Sequence, residues 1–257
     1  MRWTKFTGAD GRHQRGLLLL LCCAWLTVFA APVHQQSSSA PPQTTPPQEP
    51  AVQNGEIPKP AAPEFFVLID ASHGGEDRGA VFGGKLQEKD VTLSLARQLR
   101  WELENRGIAA RMVRESDTTV SLEHRAEAAN AQHPSVYVAI HAGAPGSGVR
   151  VYASLLPSAR ATGRFLPWEA AQANSLARSK TLADAVAHEL QRTALPVARL
   201  NSPLRPLNNI VAPAIAVELA ADPNEAHALY SAKLQNSVAS AVAAGIAKSR
   251  AQAGGQP

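Results

Sequence analysis

The sequence predicts an α/β domain, with a mostly parallel twisted sheet flanked by helices. Three observations predict it. Apolar runs of strand length occur at Phe65 to Ile69, Val136 to Ile140 and Ala214 to Val217. They are continuous rather than alternating, as in strands buried on both faces. Helix-period segments separate them, and that alternation is the pattern of a parallel sheet. Finally, each run leads into a chemistry-bearing residue: His73 after the first, His141 after the second, Glu218 after the third. In open α/β sheets, sites form beyond the carboxyl ends of the strands.

The chain has 257 residues and a formal net charge of +4. Its opening residues are basic: Arg2, Lys5, Arg12 and Arg15 precede an apolar run from Leu17 to Ala31. Basic start, short apolar core and small exit residues make residues 1–31 a signal peptide, with cleavage expected after Ala30. The alternative is an uncleaved membrane anchor, but the run falls short of the ~20 residues of a spanning helix. Both cysteines, Cys22 and Cys23, lie inside this run. The mature chain would then have neither a thiol nucleophile nor thiolate ligands. Lipid attachment is disfavoured by the bulky Leu21 before them.

Residues 32–63 are rich in Pro, Gln, Ser and Ala and nearly devoid of large apolar side chains. Such a tract cannot bury a core and reads as a disordered linker, a tether that holds the folded domain at a distance. The folded domain is expected over 64–250, with 251–257 a flexible tail.

Within the domain, Phe65 to Asp70 reads as the first strand, followed by Ala71-Ser72-His73-Gly74-Gly75 and a Gly-rich loop ending at Glu88. The loop matches neither the phosphate-binding nor the dinucleotide glycine pattern. Val91, Leu95, Leu99 and Leu103 give one helix face, stopped at Gly107. Ile108 to Val113 is a strand. A helix starts near Ser121 with Leu122, Ala126 and Ala129 inward, and His133-Pro134 ends it. Val136 to Ile140 is a buried strand closing on His141, with Ala142-Gly143 opening a loop. Val149 to Tyr152 is a further strand, and Ala153 to Asn174 is irregular. Ser175 to Leu190 is a helix, Pro196 to Pro206 a Pro-broken loop, Ala214 to Val217 the last strand, and Glu225 to Ile246 an Ala-rich helix. No internal repeat appears, and charge is not clustered in the folded region, which argues against nucleic-acid binding.

If the three strands are neighbours, His73, His141, Glu88 and Glu218 meet at one sheet edge. Two imidazoles and a carboxylate suit zinc with a fourth position open, and a second carboxylate suits proton transfer. Taken singly, each has an ordinary reading: a loop histidine, or a carboxylate at a helix start. His13, His34, His124, His133, His188 and His227 have no second cluster of ligand types around them and read as surface or packing residues.

These segments resemble the zinc-dependent N-acetylmuramoyl-L-alanine amidases of the amidase-3 type. The resemblance is carried by Asp70-Ala71-Ser72-His73-Gly74-Gly75, Glu88-Lys89-Asp90, the stretch with Asp117, Leu122, Arg125 and Ala129-Asn130, then Ile140-His141-Ala142, Gly148-Val149 with Tyr152, and Pro213 to Glu218. It implies that Zn2+ is held by His73, Glu88 and His141, with Glu218 as general base and acid. It also implies a single catalytic domain that cuts the amide bond between N-acetylmuramic acid and L-alanine of the stem peptide. Peptidoglycan would be the partner, in the periplasm or outside the cell, with membrane contact only through an uncleaved N-terminal segment. Departures from the family pattern are Ser72 for the usual Gly, Ala139 for the usual Ser, and Leu219-Ala220-Ala221-Asp222-Pro223 after Glu218. The last departure changes the wall of the cleft next to Glu218, which bears on substrate preference more than on mechanism. Arg125 and Asp70 read equally as supports of the site or as a structural ion pair. Trp168, with Phe165 and Leu166, is expected to line or cover the substrate cleft. The competing readings are a zinc amidase or peptidase acting on another envelope peptide, a non-catalytic wall-binding module, and an envelope scaffold acting through the linker.

Overall fold

A computed structural model of the chain describes residues 64–156 and 167–254, all within one compact unit, Lys59–Pro257. The readings made for residues 1–63, including the export signal and the linker, lie outside the described residues. So do Phe165 and Leu166.

Six strands form the main sheet: β1 (Phe66–Ala71), β4 (Ala109–Met112), β5 (Val136–Ala144), β6 (Gly148–Ser154), β7 (Val197–Ser202) and β8 (Ala214–Ala220). Their order is β4-β1-β5-β8-β6-β7. The pairs β4-β1, β1-β5 and β5-β8 are parallel. β6 runs antiparallel to β8, and β7 parallel to β6. The first, second and last apolar runs are thus adjacent at the centre of the sheet, which meets the condition the sequence left open. Two short strands, β2 (Val81–Phe82) and β3 (Leu86–Gln87), fold the Gly-rich loop into a hairpin.

Side-chain alternation divides the core into two layers. Val67, Ile69, Val138, Ile140, Val151 and Val217 face α1 (Glu88–Glu104), α3 (Leu176–Gln191) and α4 (Ala232–Gly254). Phe66, Leu68, Tyr137, Ala139 and Ala216 face α2 (Leu122–Gln132) and the 3-10 turn Leu207–Asn209. On the first side, α4 packs close to α3. A Cβ added at Gly245 would fall 2.5 Å from Cα of Val186, so only glycine allows this approach.

Several elements depart from the sequence reading. The strand carrying His141 does not stop there but continues to Ala144, with a register shift between Ala142 and Ala144. Pairing with β8 holds these small residues in the ladder. Pro196 to Pro206 contains β7, a half-exposed edge strand without an apolar run, stabilised by its register with β6. Leu122 is 45 % exposed: as the first residue after the Ser121 cap, it starts α2 outside the buried face. The closing helix begins later than read. A 3-10 segment, Pro223–Tyr230, precedes α4, which runs to Gly254, into the stretch read as a tail.

Candidate metal centre

The site begins where β1 ends. His73 has φ 62, a left-handed conformation rare for a side-chain-bearing residue. Two buried arginines hold the segment leading into it. Arg125 of α2 donates to Ala71 O at 3.0 Å and to His73 O at 2.7 Å, and pairs with the buried carboxylate of Asp70. Arg114 donates to Ala71 O at 2.8 Å, to Lys89 O at 2.8 Å and to Ser72 O at 3.3 Å. Each arginine is 3 % exposed. Tyr137 donates its hydroxyl to the second oxygen of Asp70. Burial, then the Asp70 charge, raises Tyr137 well above the ordinary tyrosine value. Asp70 and Arg125 therefore support the His73 loop from beneath.

Glu88 is the first residue of α1, and Gln87 caps the helix without a side-chain bond. Its Oε2 lies 3.2 Å from His73 Nε2 and its Oε1 lies 3.2 Å from His141 Nδ1. Ala80 N and Ala142 N donate to the same carboxylate at 2.9 and 3.0 Å. Burial alone would raise Glu88. The hydrogen bonds from His141, His73, Ala80 and Ala142 outweigh it and hold the carboxyl well below its ordinary range. For His73, the bond to Glu88 is the leading effect and raises it, against burial.

One ligand atom from each of His73, Glu88 and His141 lies within 4.8 Å of the other two. The opposite ring nitrogens are also occupied. His73 Nδ1 is 2.8 Å from Asp77 Oδ2, and His141 Nε2 is 2.9 Å from Ser72 Oγ. Each ring thus turns its remaining nitrogen toward Glu88. The backbone closes tightly around the group: at Gly79, φ +62, an added Cβ would fall 2.7 Å from Glu88 Oε2 and from His73 Cδ2. Two imidazoles and an ionised carboxylate, converging with their outer nitrogens engaged, fit a divalent metal ion.

Glu218 lies outside this trio but beside it. His141 and Glu218 are register partners in the parallel pair β5-β8 and share the face toward α2. Tyr152, on that face of β6, donates to Glu218 Oε2 at 2.7 Å, and Arg150 Nη1 stands 3.9 Å from the same oxygen. Burial, then this bond, raises Tyr152 above its ordinary value. Beyond Glu218, β8 ends at Ala220, and Ala221 N donates to Ala144 O at 3.1 Å.

Trp168 is not in the cluster. It is 46 % exposed and sits beside Leu122, Glu123 and Ala126 of α2, with Asn209 donating to its carbonyl at 3.1 Å. Sequence reasoning missed the roles of Ser72, Asp77, Arg114 and Tyr152 around these residues. Asp77 had a readable signal, a carboxylate four residues after His73. The others depend on pairings across the fold.

A family model described as N-acetylmuramoyl-L-alanine amidase matches residues 67–248. The chain is 29% identical over 208 residues to the germination-specific N-acetylmuramoyl-L-alanine amidase of Bacillus subtilis, covering 75% of this chain and 82% of that protein. It is 40% identical over 100 residues to N-acetylmuramoyl-L-alanine amidase AmiC of Neisseria meningitidis, covering 39% of this chain and 22% of the relative. Among solved structures, AmiC2 of Nostoc punctiforme superposes with a TM-score of 0.57 at 28% identity, covering 72% of this chain and 96% of that one.

Proposed function

This chain belongs to the N-acetylmuramoyl-L-alanine amidase family, and from that premise we propose that it hydrolyses peptidoglycan at the amide between N-acetylmuramic acid and L-alanine of the stem peptide. The observation that carries the reading is the convergence of His73, Glu88 and His141 within 4.8 Å.

His73 Nε2, His141 Nδ1 and one oxygen of Glu88 would hold zinc. When bound, zinc supplies a water of lowered pKa and polarises the carbonyl under attack. Glu218 is assigned the proton. It takes the proton as water adds to the lactyl carbonyl, then delivers it to the alanine nitrogen as the C–N bond breaks. Tyr152 engages Oε2 of Glu218, so we assign the transfer to Oε1. Arg150 and Tyr152 restrain the carboxylate beside His141 rather than letting it swing into solvent. Trp168, exposed next to the start of α2, is assigned to the substrate cleft. Neither a serine nor a cysteine nucleophile is needed.

The test is the bond cut. Purified protein incubated with peptidoglycan should release new alanine amino termini while reducing sugar ends stay constant. Release of other amino termini would make it an amidase of another envelope peptide.

The N-terminal segment is assigned to export, and residues 32–63 to a linker between the export site and the domain. The mature protein should start near Ala31, in the periplasm or outside the cell; cytoplasmic protein that keeps Met1 would overturn this. Among the described residues, no helix is long and apolar enough to cross a membrane.

A further inference from the structure

Ser72 lies between β1 and the first histidine, where the β1-β5 ladder makes its last bond. The paired registers Asp70 with Ala139 and Ala71 with Ile140 bring Ser72 next to His141. Ser72 N donates to Ile140 O at 3.1 Å and fixes that alignment. Its carbonyl is held as well, by Thr92 Oγ1 at 2.8 Å and Arg114 Nη2 at 3.3 Å. With both backbone groups tied and the residue 5 % exposed, the hydroxyl has little freedom. It stands 2.9 Å from His141 Nε2, while the other nitrogen of that ring faces Glu88 at 3.2 Å.

We infer that Ser72 is a positioning residue, which holds His141 in the tautomer and ring plane that present Nδ1 to the metal; the inference rests on His141 being a metal ligand. A neutral imidazole has one N–H, and the nitrogen that binds a metal must be the bare one. When Nδ1 binds, the proton belongs on Nε2, and Ser72 Oγ is placed to accept it. Outer hydrogen bonds of this kind orient metal-binding histidines and raise their affinity. The two rings differ in their outer partners: Asp77 gives His73 a carboxylate, whereas Ser72 gives His141 a neutral hydroxyl. A hydroxyl can also donate, so it tolerates His141 before metal arrives, when Nδ1 can carry the proton toward Glu88.

The test measures zinc affinity by chelator competition for the full chain, Ser72→Ala and Ser72→Thr, beside the melting temperature of each metal-free protein. Ser72→Ala should bind zinc about 10-fold more weakly with its metal-free melting temperature nearly unchanged, since loss of such outer partners typically costs 10- to 100-fold in affinity. Ser72→Thr keeps the hydroxyl and should recover most of the affinity. In the zinc-loaded unmodified protein, NMR should detect a slowly exchanging His141 Nε2–H, and that signal needs no variant to fold. Unchanged affinity in Ser72→Ala, or a zinc-loaded protein lacking the protected Nε2–H, overturns the inference while leaving the amidase reading intact. An unmodified protein that binds no zinc overturns the metal assignment and this inference together.

Discussion

Tyr152 donates its hydroxyl to Oε2 of Glu218 at 2.7 Å, across the antiparallel pair β6-β8. The two side chains are on neighbouring strands and the same sheet face, so the contact follows from register rather than from a loop. It restrains the carboxylate that we assign to proton transfer. Tyr152→Phe keeps the ring and removes only the hydroxyl. A hydrogen bond to a charged group is worth ~1.5–3 kcal/mol, so turnover should fall about 10-fold or more. Metal content should not change. Unaltered turnover on peptidoglycan would show that Glu218 needs no help from Tyr152.

A second prediction uses pH. Tyr137 is fully buried, and its ionisation is pushed well above the ordinary value by burial and by the Asp70 charge. In the unfolded chain it ionises near pH ~10. Above that pH the unfolded chain binds fewer protons than the folded one, so stability falls as pH rises. The contribution is fully present below pH ~10 and is lost progressively above it. Tyr137→Phe lacks this loss, but it also lacks the bond to Asp70. Near neutrality the metal-free variant should be less stable by ~1.5–3 kcal/mol. The gap should narrow through the alkaline range. Parallel stability curves for the two proteins, from urea unfolding at a series of pH values, would contradict the assignment.

Trp168 gives a third. Its indole is exposed while its carbonyl is held by Asn209, so the side chain is free to meet a ligand. Exposed substitutions usually change stability by no more than ~0.5 kcal/mol. If the indole contacts substrate, Trp168→Ala should cost about 1 kcal/mol in kcat/KM, roughly fivefold. Thermal melting and peptidoglycan kinetics on the same preparation separate the two. A variant that melts early but cleaves normally per folded molecule makes Trp168 a packing residue.

The sheet was legible in the sequence because continuous apolar runs mark the buried strands, and those runs lead into His73, His141 and Glu218; Glu88 follows a Gly-rich loop, and its grouping with the two histidines as ligands rests on the family resemblance. Proximity was a different matter. Only the strand order brings β1, β5 and β8 together, and no spacing encodes that order. β7 was missed because Val197–Ser202 has no apolar run; its stability comes from pairing with β6. Arg114 was missed for a related reason. An arginine at a strand end normally reads as solvated, and here it is buried because several backbone carbonyls converge on its guanidinium. Ser72 read as a small change beside a histidine, and its contact with His141 appears only once β1 and β5 are in register.

The last prediction separates holding metal from moving protons. His73→Ala and His141→Ala each remove one of three converging donors, so each should lose zinc and activity together. Glu218 is on the next strand, outside the trio, and its carboxylate is engaged by Tyr152 rather than by either histidine. Glu218→Gln preserves shape and can still hydrogen-bond to Tyr152, but its amide cannot accept the proton of the attacking water. Loss of general acid–base help costs ~100- to 10,000-fold in rate. Glu218→Gln should therefore stay folded, bind close to one zinc per chain, and cleave peptidoglycan slower by that factor. Metal analysis beside turnover, read as new alanine amino termini, decides it. Loss of zinc from Glu218→Gln would make Glu218 a ligand. Near-normal turnover with zinc retained would move the base elsewhere, and Glu88, the other carboxylate at this sheet edge, becomes the next residue to test.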